Sequence, residues 1–115
     1  MPEFNTKYLE EVSGGNQQFI IEMLQIFLSR TPEALEILRK SVQEEDWDTI
    51  GFYAHKLKAT YAYVGLDELK KILIEIEQRA KHKVDTHTLG ELIDYLINIT
   101  QPELEVIRVF KQKIS

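Results

Sequence analysis

One histidine, His55, stands among small residues in the run Gly51-Phe52-Tyr53-Ala54-His55-Lys56-Leu57-Lys58-Ala59-Thr60. At about 100° per residue on a helix, Gly51, Phe52, His55, Ala59, Ala62 and Tyr63 gather on one side, with Lys56 and Lys58 flanking. Trp47, Ile50, Ala54, Leu57, Tyr61 and Val64 fall opposite, at strict three- and four-residue spacing, and read as a core stripe. The His55 side should then be charged, and mostly it is not. Gly51 costs a helix interior about 1 kcal/mol relative to alanine, so something other than helix stability favours it. Close approach by a partner explains both the glycine and the missing charges.

A lone helical histidine is usually a boundary residue, and the small-residue surround is what sets His55 apart. Metal ligation is not expected, because the preceding and following turns offer Gly51 and Ala59 rather than ligands. The chain has no cysteine, which excludes thiolate zinc sites, disulfides and cysteine nucleophiles together. It has no glycine-rich phosphate loop and no G-x-S-x-G elbow, and Gly14-Gly15 reads as a helix terminator. No serine, cysteine or supporting acid sits beside His55 on its own helix to make a triad. What remains is imidazole as a nucleophile in its own right. An exposed imidazole, with an unperturbed pKa of about 6.5, is mostly neutral at pH 7 and leaves one ring nitrogen free to attack. His82 and His87 flank the loop before the last helix, lack that surround and read as ordinary surface residues.

The 115 residues make one domain, 1–115, with 43% hydrophobic and 29% charged residues, too apolar for a disordered tail. The net charge of −5 argues against nucleic acid, which needs a cationic surface. Residues 1–50 carry 10 acids against 4 bases, whereas residues 51–83, which hold His55, carry 4 acids against 7 bases. A local basic region suits a small anionic group or an acidic protein pocket. No apolar run approaches the roughly 20 residues that cross a bilayer, and the start M-P-E-F-N-T lacks the pattern of a secretory signal. The expectation is a cytoplasmic monomer without membrane contact.

Helical periodicity fills the chain between a few breaks. A short helix is expected from an Asn5 cap to Val12, ended by Gly14-Gly15. A second begins near Asn16, bends or restarts at Thr31-Pro32 and ends near Gln43. The third runs from about Asp46 to Val64, with Gly65 closing it. Asp67 is expected to cap the fourth, whose core face is Leu69, Ile72, Leu73, Ile76 and Ala80. After a loop over Lys81 to Asp85, the fifth starts at Asp85 or Thr86, or at a capping box Thr88-Leu89-Gly90-Glu91, and is kinked or split at Pro102. The fold class is therefore all-α: an antiparallel up-down four-helix bundle with a short N-terminal helix packed on it.

The segment Ala54-His55-Lys56-Leu57-Lys58-Ala59-Thr60, followed by Val64-Gly65, resembles the signature of the histidine-containing phosphotransfer (HPt) domain of two-component phosphorelays. Similarity extends to Tyr8-Leu9, Gly14-Gly15, Phe19, Phe27, Thr31-Pro32 and Asp46-Trp47, about the first 80 residues. The resemblance implies a phosphorelay carrier that takes a phosphoryl group on His55 from the aspartyl phosphate of a receiver domain and passes it on. It makes Lys58 the positive charge near that group and Ala59 the small residue at the contact. Ala59 stands where the family usually has glycine, and Tyr61 and Tyr63 stand where it usually has small residues. Tyr61 belongs to the core stripe, so it repacks the bundle, whereas Tyr63 alters receiver preference.

In-line transfer between aspartate and histidine needs mainly positioning and charge neutralisation. Lys58, one turn on, with Lys56, can offset the incoming phosphoryl charge of up to about −2. The expected site is thus His55, Lys58 and Lys56, and the expected docking residues are Gly51, Phe52, Ala59, Ala62 and Tyr63. Part of the second helix joins them, through Phe19, Met23 and Ile26 on one side of its core stripe and Ile21 and Leu28 on the other. No cofactor is expected in the chain itself, with magnesium on the receiver, and no kinase activity. The expected partner is a response-regulator receiver domain, with a hybrid sensor histidine kinase as the other candidate. The dimerisation domain of a histidine kinase is a weaker match, because there an acid follows the histidine and here Lys56 does. The alternative from another class is a non-catalytic helical adaptor that binds through the same face, with His55 passive.

Overall fold

A computed structural model describes residues 3–115, and among them all regular structure is helical. The helices are α1 (Lys7–Ser13), α2 (Gln17–Gln43), α3 (Trp47–Tyr63), α4 (Asp67–His82) and α5 (Leu89–Ile114), with a 3₁₀ turn at Thr86–Thr88 before the last. α2 packs on α3 and α5, α4 packs on the same two helices, and α1 lies against α2. The molecule measures 43 × 22 × 22 Å. Its long axis matches the 27-residue α2 at the helical rise of about 1.5 Å per residue.

The core is the meeting of the apolar stripes read from the sequence. Leu24, Phe27, Leu35 and Leu38 of α2 and Ile50, Ala54, Leu57 and Tyr61 of α3 lie buried in one cluster, with the Phe27 and Tyr61 rings in contact. Leu69, Leu73, Ile76 and Ala80 of α4 and Leu89, Ile93, Leu96, Leu104 and Ile107 of α5 complete it, with Ile72 only at its margin. The Tyr61 ring is fully buried, and its hydroxyl lies 2.9 Å from Thr100 Oγ1. Thr100 donates its own proton to the Leu96 carbonyl at 2.7 Å, so Tyr61 is the donor to Thr100. Burial pushes the phenol far above its ordinary range.

Several helix boundaries differ from the sequence reading. α1 starts at Lys7 rather than at an Asn5 cap, although Asn5 Oδ1 still accepts the Lys7 N–H at 3.1 Å. α2 runs unbroken through Pro32, and α5 through Pro102. Each proline removes one backbone donor from a long helix whose neighbours Thr31 and Leu35, or Thr100 and Leu104, are anchored in the interior. Asp67 is the first residue of α4 and does not cap it; the carboxylate of Glu3 does, accepting the Glu68 N–H at 3.2 Å. α4 extends to His82, beyond the expected loop start at Lys81. Thr88 forms no capping box, because its hydroxyl donates to Asp85 O and accepts from Arg79 Nη1.

The turn from α3 to α4 is the feature that most constrains the site. Gly65 N–H donates to Ala62 O at 3.1 Å and Leu66 N–H to Tyr61 O at 3.0 Å, the paired bonds that close a helix through a left-handed residue. Gly65 has φ 79°, and a Cβ there would collide with the Asn5 side-chain amide. The N-terminal segment straps this turn: Asn5 N–H donates to Val64 O at 3.1 Å, and Glu3 N–H to the buried Glu103 at 3.3 Å. Folded back at this turn, α4 brings the sheltered Glu77 to the His55 side of α3.

Candidate functional site

His55 projects from the middle of α3 with 68% of its side chain exposed. Across the α3–α4 groove, Glu77 Oε2 lies 2.7 Å from His55 Nδ1, and Glu77 Oε1 lies 2.6 Å from Lys58 Nζ. A carboxylate can only accept hydrogen bonds, so a ring proton sits on Nδ1, and in the neutral ring Nε2 carries the lone pair. Nε2 has no partner among the described residues. Glu77 is only 13% exposed. Burial alone would raise its carboxyl pKa, but the contacts and charges of Lys58 and His55 outweigh this and hold it below the ordinary carboxylate range.

The two flanking lysines have separate environments. Lys58, 25% exposed, lies on the His55–Glu77 cluster. The Lys56 ammonium stands over the rings of Phe52 and Tyr53, 5.2 and 5.6 Å from their centroids. Both lysines flank His55 in sequence; in the structure Lys58 reaches the histidine's carboxylate partner, and Lys56 lines the groove between α2 and α3.

The small residues share one surface with His55. Gly51 is helical, and a Cβ on it would meet nothing within 4 Å, so neither backbone nor packing requires glycine there. Ala59 is exposed and Ala62 half-buried. Phe52 is exposed, edge-on to Tyr53. Tyr63 lies at the margin, stacked on Tyr8 of α1 with ring centroids 5.3 Å apart and planes 10° apart. Between α2 and α3, beside this surface, runs a groove of about 290 Å³ whose lining includes Ile26, Arg30, Tyr53, Lys56 and Thr60. A smaller apolar depression of about 80 Å³ continues it towards α1, past Met23 and Tyr63. On α2, Ile26 is exposed, while Phe19, Ile21, Met23 and Leu28 are half-buried.

His82 and His87 are exposed, in the last turn of α4 and in the 3₁₀ turn, with no carboxylate in ion-pair contact among the described residues. Among the described residues no group of three or more His, Asp or Glu side chains is placed to hold a metal ion, and no helix is long and apolar enough to cross a membrane.

Glu77 is the functional residue missing from the sequence reading, which looked for a supporting acid only on the histidine's own helix. Glu77 stands four residues after Leu73 at one edge of the α4 core stripe, just as Glu68 stands four before Ile72 at the other, so spacing alone does not single it out.

The family model of the Hpt domain matches residues 22–102. The match begins in α2 and extends into α5, where the sequence reading found no signature. Among solved structures, the crystal structure of histidine-containing phosphotransfer protein B from Pseudomonas aeruginosa aligns with a TM-score of 0.77 at 19% identity, covering 97% of this chain and 93% of that one. That likeness is one of fold. A comparison with curated protein sequences finds no significant match. Since the family model spans most of the chain, including the whole of α3 and α4 where His55, Lys58 and Glu77 meet, the chain belongs to the Hpt domain family.

Proposed function

We propose that the chain receives a phosphoryl group on His55 Nε2 from the aspartyl phosphate of a receiver domain and hands it to another receiver or back. Members of this family are histidine phosphotransfer carriers that work with receiver domains. The observation that carries the assignment to His55 is the state of its ring. Nδ1 is held by Glu77 at 2.7 Å, while Nε2 points away from that partner on a side chain mostly in solvent.

The reaction asks for little from this chain beyond position and charge. Nε2 attacks phosphorus in line with the departing aspartate oxygen, and Lys58 supplies positive charge next to the acceptor. Magnesium and its carboxylate ligands are supplied by the receiver, and the chain contributes no kinase activity of its own. The scaffold is an antiparallel up-down four-helix bundle carrying α1 on its side. The three-residue links 44–46 and 64–66 are too short to retrace a 43 Å molecule, so successive helices reverse direction. One such bundle acts as a monomer.

The receiver docks over Gly51, Phe52, Ala59, Ala62 and Tyr63, with the α2 edge at Ile26 forming a rim. Gly51 supports this reading, since nothing inside the chain fills the space beside it. The basic run of residues 51–83 steers an acidic active-site pocket towards the histidine.

The test is label transfer. Receiver domains phosphorylated with ³²P are mixed with the chain, and label is expected to move to it and on to a second receiver. Receiver binding without any transfer of label, and unchanged when His55 is replaced, would establish the adaptor reading instead.

A further inference from the structure

Glu77 does more than orient a ring. We propose that Glu77 is a positioning residue that keeps the proton on His55 Nδ1 through both halves of the transfer, so that the N–P bond forms and breaks without proton exchange with solvent. The proposal rests on the phosphotransfer reading above and names a device within the same site.

Consider the forward step. The Nε2 lone pair forms the N–P bond, the P–O bond to the receiver aspartate breaks, and its electron pair leaves on the aspartate carboxylate. The ring now carries phosphorus on Nε2 and a proton on Nδ1, and is cationic. Facing solvent, such a ring sheds the Nδ1 proton and becomes a neutral phosphoimidazole. In that form the N–P bond is slow to break, because the leaving group would be an imidazolate anion. Acid lability of phosphohistidine has this same origin, since protonation of the ring makes neutral imidazole the leaving group.

In this structure Nδ1 does not face solvent. It faces a carboxylate 2.7 Å away that is 13% exposed and anchored on its other oxygen by Lys58 at 2.6 Å. A carboxylate cannot donate, so a deprotonated Nδ1 would set a lone pair against a negative charge in a sheltered groove. The protonated ring makes a charge-assisted hydrogen bond there instead. In the return step a receiver aspartate oxygen forms its bond to phosphorus, the N–P electron pair returns to Nε2, and neutral imidazole departs with its Nδ1 proton already in place. No proton is taken up or released.

The groups that face the ring are few. Glu77 comes from α4, and Lys58 of α3 acts through it, while Lys56 lies over Phe52 and Tyr53. Among the described residues no ion pair brings a group from α2 or α5 to His55.

The decisive substitution is Glu77→Gln, whose amide keeps the size and can accept from Nδ1–H, but can also turn and donate to a deprotonated Nδ1. Both proteins are loaded from a phosphorylated receiver, isolated and mixed with excess unphosphorylated receiver at pH 6 to 9, and the ratio of their transfer rates is taken at each pH so that the receiver's own pH dependence cancels. At pH 6 the two are expected within about twofold; above neutrality the variant falls away by about tenfold per pH unit, as its ring loses the proton. Lys58→Ala, run in parallel, is expected to slow transfer equally at every pH.

A Glu77→Gln profile parallel to the wild type, whether unshifted or uniformly lower, overturns the proposal, and so does a slope that appears equally in Lys58→Ala. Failure of the wild-type chain to take label at all is a different outcome, and it defeats the phosphotransfer reading itself.

Discussion

Lys58 of α3 and Glu77 of α4 meet at 2.6 Å across the groove beside His55, whereas Lys56, two residues away in sequence, spends its charge over the rings of Phe52 and Tyr53. The two lysines are therefore not interchangeable. Lys58 reaches the acceptor's surroundings through a sheltered carboxylate, where electrostatic interactions are worth more than in open water. Lys58→Ala is expected to slow phosphoryl transfer by about tenfold, less than loss of a donor aimed directly at the reacting group because Lys58 is paired to Glu77, and Lys56→Ala by about twofold or less. Single-turnover label transfer measures both. Equal losses would mean that the lysines act only as a diffuse field.

The small residues around His55 predict where a partner sits. Ala59→Glu and Ala62→Glu each place a bulky negative charge on the proposed contact without entering the core stripe. Each is expected to weaken receiver binding by about tenfold or more, through steric exclusion and repulsion of the receiver's acidic pocket. Circular dichroism should be unchanged. A titration showing unaltered affinity in both variants would move the docking surface elsewhere.

Gly65 tests how the site is held together. Its φ of 79° and the nearby Asn5 side chain both oppose a Cβ, so Gly65→Ala is expected to cost about 1–3 kcal/mol of stability and to loosen the N-terminal strap with it. Chemical denaturation should show a lower midpoint. Because the turn also sets how α4 returns along α3, the variant should lose label uptake at temperatures where it is still largely folded. An unchanged midpoint would show that Asn5 simply moves aside.

The sequence announced the helices through their periodic apolar stripes. The core residues expected on the third helix, Ile50, Ala54, Leu57 and Tyr61, with Val64 just past its end, are all buried, and only Trp47 lies at the margin. Helix ends were less legible, because their hydrogen-bond partners are remote in sequence. No local pattern says that Glu3 will cap α4 through Glu68, or that Thr88 will serve Arg79 and Asp85 instead of its own helix. Pro32 and Pro102 do not restart or split their helices, because tertiary packing along the whole of α2 and α5 overrides a local, unfavourable effect. At the site, His55 stood out from its small neighbours. Its partner Glu77 did not, since a contact across 22 residues depends on how two helices are set against each other.

The chemistry of the attached label tests the central claim most directly. Wild-type chain and His55→Gln are incubated with a phosphorylated receiver, and the label is followed in acid and in base. The account predicts label on the wild type that is lost in acid and survives base, as a phosphohistidine should, and no label on His55→Gln, whose fold is retained because His55 lies outside the core. Label of the same chemistry persisting on His55→Gln, carried by His82 or His87, would contradict it.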